Sequence, residues 1–155
     1  MQQSAPVDTG FRLVGHWKAE LHGEDGVLKN TYYNHNIICT NGKEFLASYL
    51  ASAAASSATY TVKYIAIGTN ATAETAADTT LGTEIFRQTG TVSYVSNQIV
   101  QITATFATGS GTGAITEFGL FSSSAAGTMM ARYTRTAINK TATDRLTVTA
   151  QLTFT

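Results

Sequence analysis

Apolar and polar residues alternate most cleanly at the end of the chain. There Leu146, Val148, Ala150, Leu152 and Phe154 share one parity, and Thr147, Thr149, Gln151 and Thr153 share the other. A period of two marks a strand with one buried face. Val100, Ile102, Ala104 and Phe106 repeat the pattern within residues 98–107. Near the start, Leu13, Trp17, Ala19 and Leu21 oppose Arg12, His16, Lys18 and Glu20, which predicts a strand over residues 11–21. The turn Gly23-Glu-Asp-Gly26 and a second strand from residue 27 to about 34 complete a hairpin, with Tyr32 and Tyr33 supplying strand-favouring bulk. Further short strands are predicted over 62–68, 84–88, 91–95, 115–121 and 128–135. That spacing points to an antiparallel sandwich or barrel.

One segment has a different period. Asn41 with Glu44 three residues later resembles a capping box, and Phe45, Leu46, Tyr49, Leu50 and Ala53 fall on one helical face. A short helix is predicted over about 41–55, lying against an edge or opening of the sheet because its other face is Ser and Ala. Residues 1–10 carry the only proline, Pro6, and no periodicity; they read as a flexible N-terminal arm that orders on a partner. Residues 11–155 read as one β-sandwich domain. The connections 69–80 and 109–113 are rich in Gly, Thr, Ala and Asn, and the first is long enough for a binding loop.

Composition narrows the class of partner. The chain has 155 residues, 43% of them hydrophobic, enough for a core without disulfides or metal. Only 13% are charged and the formal net charge is zero, which argues against nucleic acid and acidic lipid and in favour of self-association. Thr (27 residues) and Ala (22) stand where Lys and Glu usually cover a surface, as suits strands with a hydroxyl-bearing face. Cys39 has no cysteine partner and follows Ile37 and Ile38, so it reads as a buried thiol in a chain made in a reducing compartment. No signal-peptide pattern and no run of eighteen apolar residues occurs, so neither secretion nor a membrane is expected. Asn70-Ala-Thr72 and Asn139-Lys-Thr141 match glycosylation triplets but read as loop sequence.

The candidate chemical motifs each lack a required part. Asp8-Thr9-Gly10 spells an aspartic-protease triplet, but it follows a polar arm and precedes Phe11, so a turn is the better reading. His16 is on the polar side of a strand, His22 is at a turn, and His35 is four residues from Cys39 with no helix to bring them together. Gly109-Ser-Gly-Thr-Gly113 lacks the Lys-Ser/Thr ending of a phosphate loop. No G-x-S-x-G elbow is present. Glu117 is an acidic residue in an apolar strand, and pairing with Arg132 or Arg135 across strands is expected. Arg132, Arg135, Lys140 and Arg145 read as a rim of interface ion pairs rather than a phosphate track. The expectation is a protein that is not an enzyme, with no cofactor and no metal.

Several pieces in order carry a family resemblance: Lys63-Tyr-Ile-Ala-Ile-Gly68, Thr80-Leu-Gly-Thr-Glu84, Ile115-Thr-Glu-Phe-Gly-Leu-Phe121, Met130-Ala-Arg132, Ile138-Asn-Lys-Thr141 and Leu146-Thr-Val-Thr149. Together they resemble a β-rich module of tailed-bacteriophage structural proteins, shared with tail-fibre-like proteins, over residues 60–155. The resemblance implies a virion component made in the host cytoplasm: a capsid decoration (cement) protein on the capsid surface or, alternatively, a tail fibre or baseplate adhesion module. For a decoration protein it implies a jelly-roll-like sandwich, a homotrimer, and the major capsid protein as partner. Gln2, Gln3, Val7, Asp8 and Phe11 of the arm, with Arg132 and Arg135, are the expected partner-binding residues. Exposed Tyr32, Tyr33 or Tyr60 would give an adhesion module some affinity for carbohydrate.

Overall fold

A computed structural model describes residues 12–51, 62–96 and 98–155. The expected arm contacts Gln2, Gln3, Val7, Asp8 and Phe11, the Asp8 triplet, Tyr60 and the expected helix end at 52–55 lie outside the described residues. The strands are β1 (Leu13–His22), β2 (Leu28–Ile38), β3 (Tyr64–Gly68), β4 (Glu84–Thr89), β5 (Thr91–Ser96), β6 (Ile99–Phe106), β7 (Gly113–Phe121), β8 (Met129–Lys140) and β9 (Arg145–Phe154). The helix α1 spans Thr40–Ala51. Mainly β structure with one short helix is what the periodicity predicts.

All the strand pairs are antiparallel and form one curled sheet in the order β4-β3-β7-β8-β2-β1-β9-β6-β5. The curl makes two leaves. In the first, β2, β1, β9, β6 and β5 pair over long registers; in the second, β8, β7, β3 and β4 do so. The leaves join where Ile37 and Ile38 of β2 pair with Arg132 and Ala131 of β8. At the far side Gly90 alone separates β4 from β5, so one segment bends from the edge of one leaf to the edge of the other. The Gly90 N–H donates to the Lys63 carbonyl at 2.6 Å.

Alternation supplies the core between the leaves. Trp17, Ala19 and Leu21 of β1, Ile102, Ala104 and Phe106 of β6, and Leu146, Val148 and Ala150 of β9 meet Ile65, Ile67, Phe118, Leu120 and Tyr133 from the other leaf. The Trp17 ring lies 6.0 Å from Phe118 and 6.2 Å from Tyr133, and Phe86 meets Phe106 edge-on. Such contacts add roughly 1 kcal/mol each to simple burial.

The two leaves differ on their outer faces. The second leaf is covered there too: Cys39, Ala66, Leu81, Phe121 and Met129 form a smaller apolar cluster beneath the 69–83 connection and the start of α1. Gly42 of α1 allows this close approach, because a Cβ there would meet the Met130 carbonyl and lie 2.7 Å from its Cα. The outer face of the first leaf carries hydroxyl, amide and charged side chains.

Two strands run longer than their periodicity predicts. In β8, Thr134 is opposite Glu117 but Ile138 is opposite Ile115, so three residues of β8 face one of β7. This bulge reverses the parity beyond Arg135 and lets Ile138 point into the core. Strand β2 continues to Ile38 because its last residues cross to the second leaf. Among the described residues, no helix is long and apolar enough to cross a membrane.

Candidate functional site

Glu117 is fully buried and is the centre of a polar cluster. Its Oε2 accepts from Arg132 Nη2 at 2.9 Å and from the Gly82 N–H at 2.9 Å; its Oε1 accepts from the N–H groups of Thr83 (2.7 Å) and Asn70 (3.2 Å). Arg132 continues the network to Asp78 Oδ2 at 2.7 Å and to the Thr72 carbonyl. Gly68 leaves room for the carboxylate, since a Cβ there would sit 2.8 Å from Glu117 Cγ. Burial opposes the charge of Asp78, but the Thr75 N–H and the Arg132 guanidinium outweigh it and hold the carboxyl below its ordinary value. The expected pairing of Glu117 with Arg132 is therefore present, and its task is structural. One carboxylate and one guanidinium fasten the 69–83 connection onto the second leaf.

This corrects the expectation for the basic residues. Arg132 is 4% exposed and held by Glu117, Asp78 and the Thr72 carbonyl, so it is not a rim residue. Lys140 is buried as well, its ammonium donating to the Ala107 carbonyl at 3.0 Å. Arg135 is half-buried over the Tyr32 ring at 4.0 Å and donates to the Thr136 carbonyl. Of the four cations only Arg145 is exposed. A cation that composition alone did not mark, Arg87, lies 3.7 Å over Phe121, pairs with Glu84 and donates to the Ser123 and Ala126 carbonyls. It ties the 122–128 turn to β4.

The hairpin register brings two of the three histidines together. His16 and His35 are direct cross-strand neighbours with ring centroids 4.6 Å apart. His22 lies at the end of β1, away from them. Among the described residues no three metal-ligating side chains cluster. Cys39 is buried, and desolvation together with the nearby Asp78 charge pushes its thiol up to about 11. The 109–113 segment is a turn whose Gly109 and Gly111 adopt positive φ, as a tight connection requires.

Among the described residues, two surfaces stand out for contact potential. The first is the edge strand β5, Thr-Val-Ser-Tyr-Val-Ser, in which every residue is exposed, Val92 by 44%, Tyr94 by 71% and Val95 by 52%. It carries no charge and no proline, the usual protections of a sheet edge. The second is the outer face of the first leaf. A cavity of about 450 Å³ there is lined by polar side chains of β1, β6 and β9 and by Tyr33 of β2. No family model, curated protein or solved structure matches the chain.

Proposed function

We propose that the chain is a bacteriophage virion structural protein of the capsid decoration (cement) type, which binds the outside of the assembled capsid and stabilises it through protein–protein contacts. The observation that carries the contact part of this reading is β5. Its exposed Val92, Tyr94 and Val95, on a strand that has one neighbour among the described residues, suit pairing with another chain. The virion part rests on the resemblance of the ordered sequence pieces. Several of them meet at one point in space, because Gly68, Gly82, Thr83, Glu117 and Arg132 all belong to the buried network. They therefore act as one module with a shared structural purpose.

The jelly-roll-like description of the sandwich belongs to the same proposal. The nested pairing of β1 with β9, β2 with β8 and β3 with β7 supports it, being that of a long doubled chain rolled on itself. In this reading three copies associate, with β5 at the subunit or capsid boundary, and the major capsid protein is the partner. The mechanism is mass action: a protein that binds the assembled shell and not its separated parts stabilises the shell. No catalytic step is part of it.

The test is reconstitution. Purified chain is added to phage heads that lack it, and co-sedimentation and the temperature of head disruption are measured. Binding with a raised disruption temperature, both reduced by Val95→Lys, is the expected result; no binding to heads overturns the reading. One observation favours the second reading, a tail fibre or baseplate adhesion module: the bare polar face around Tyr33.

A further inference from the structure

We propose that the outer face of the first leaf is a binding trough for neutral carbohydrate. The strand register lays its side chains out in rows across β2, β1, β9 and β6. One row is Tyr33, Lys18, Thr149 and Thr103; the next is His35, His16, Gln151 and Gln101. Each row crosses three inter-strand steps of about 4.8 Å, roughly 14 Å in all, which is the reach of a short oligosaccharide.

The chemistry of the rows selects the ligand. Lys18 and Glu20 neutralise each other at 2.7 Å, so the trough has no uncompensated Lys, Asp or Glu to recruit a phosphate or a carboxylate. Beside the His16 and His35 imidazoles, its remaining groups are the Tyr33 ring and amides and hydroxyls joined in short ladders. Gln151 donates to Gln101 at 3.0 Å, Gln101 to Thr103 at 3.3 Å, and the Thr103 and Thr149 hydroxyls are 3.2 Å apart. A glutamine side chain offers two donors and two acceptor lone pairs, and each of these two has used only one or two on its neighbours. Pre-ordered planar amides with capacity left over match vicinal sugar hydroxyls, which both donate and accept. At the end of the row the Tyr33 ring is 72% exposed on β2. An exposed phenol ring beside hydrogen-bonding groups offers an apolar platform for the C–H face of a pyranose, with little rotamer freedom to lose.

A face that served only for solvation would have no reason to hold a cavity of about 450 Å³ or a bare aromatic ring at its end. A protein partner would call for an apolar centre, which is absent from these rows. β5 borders the trough, with Thr91 opposite Thr103 and Ser93 opposite Gln101, but pairing with another chain would use the backbone of its outer edge and leave the face of β6, β9, β1 and β2 open to a glycan.

The test uses the full chain on an array of neutral and acidic oligosaccharides, followed by calorimetric titration with the strongest neutral hit. The expected result is binding of at least one neutral oligosaccharide. Tyr33→Ala and Gln151→Ala should each weaken it about tenfold or more, while Ser124→Ala on the far 122–128 turn leaves it unchanged. Circular dichroism and thermal melting confirm that each variant is folded. No binding on the array, binding confined to acidic glycans, or binding insensitive to both trough variants overturns the proposal. Failure here leaves the head-binding result of the reconstitution untouched, so the two readings are separable.

Discussion

Replacing Glu117 by Gln keeps the shape of the side chain and removes the acceptor character that the network needs. The carboxylate accepts three backbone N–H groups and the Arg132 guanidinium. An amide has one oxygen and one NH₂, and neither orientation suits the site. With NH₂ at the Oε1 position, the Asn70 and Thr83 donors face another donor; with NH₂ at Oε2, the Gly82 and Arg132 donors do. Two donors are stranded in the first case and three in the second, where Arg132 Nε and Nη2 join the Gly82 N–H, at about 1–3 kcal/mol each. Removing one member of a buried ion pair costs about 3–5 kcal/mol, which agrees with that sum. In a chain of 155 residues this lowers Tm by roughly 10–15 °C. Urea unfolding followed by circular dichroism, with thermal melts alongside, measures the loss. Hydrogen exchange in the 69–83 connection should rise before global unfolding, because that segment loses its fastening. A loss below about 1 kcal/mol, with unchanged exchange in 69–83, would refute the structural role assigned to the network.

Four further outcomes are expected. Gly42→Ala should destabilise, despite a helix-propensity gain of about 1 kcal/mol, because the added Cβ meets the Met130 backbone; a stabilised variant in urea unfolding would show that α1 does not pack so closely. Lys29 and the Thr141 N–H and hydroxyl hold the Asp144 carboxyl down to about 2, below the ordinary value near 3.9, so its contribution is complete above about pH 4 and lost as pH falls toward 2. The urea midpoint should therefore fall less steeply across that window in Asp144→Asn than in the parent chain. Cys39, buried with its thiol at about 11, should resist a thiol reagent at pH 8 in the folded chain and react at once in denaturant. Val95→Lys, which places a charge on the bare edge, should lower molar mass measured by light scattering at concentrations where the parent self-associates.

The strands that lie in the middle of a leaf were legible in the sequence. β9 and β6 bury one face and leave the other more open over most of their length, so period two survives intact from Ile102 to Phe106 and from Leu146 to Leu152. Parity fails where the backbone adds residues, as in β8, where the bulge between Thr134 and Ile138 hides a buried isoleucine from any alternating pattern. The Glu117–Arg132 pair was readable because an acid in an apolar strand requires a partner. Its three backbone donors and Asp78 were not, since they come from a connection whose path is set by the tertiary fold. Burial of Arg132 and Lys140 was likewise hidden, because a cation in a strand is read as exposed unless its acceptors are known. The pairing of His16 with His35 needs the hairpin register, and a bulge between Leu21 and His22 shifts that register by one residue. The trough needs more still, because its rows unite residues from Tyr33 to Gln151 across four strands.

We propose that this β module works by contact on the surface of a phage capsid. Cryo-electron microscopy of purified virions that encode the chain, at a resolution that separates single domains, tests it most directly. The expected result is copies of this curled sheet on the outer face of the capsid, with β5 (Thr91–Ser96) against a neighbouring chain. Density for the chain at the tail tip alone, or none on the particle, would contradict it.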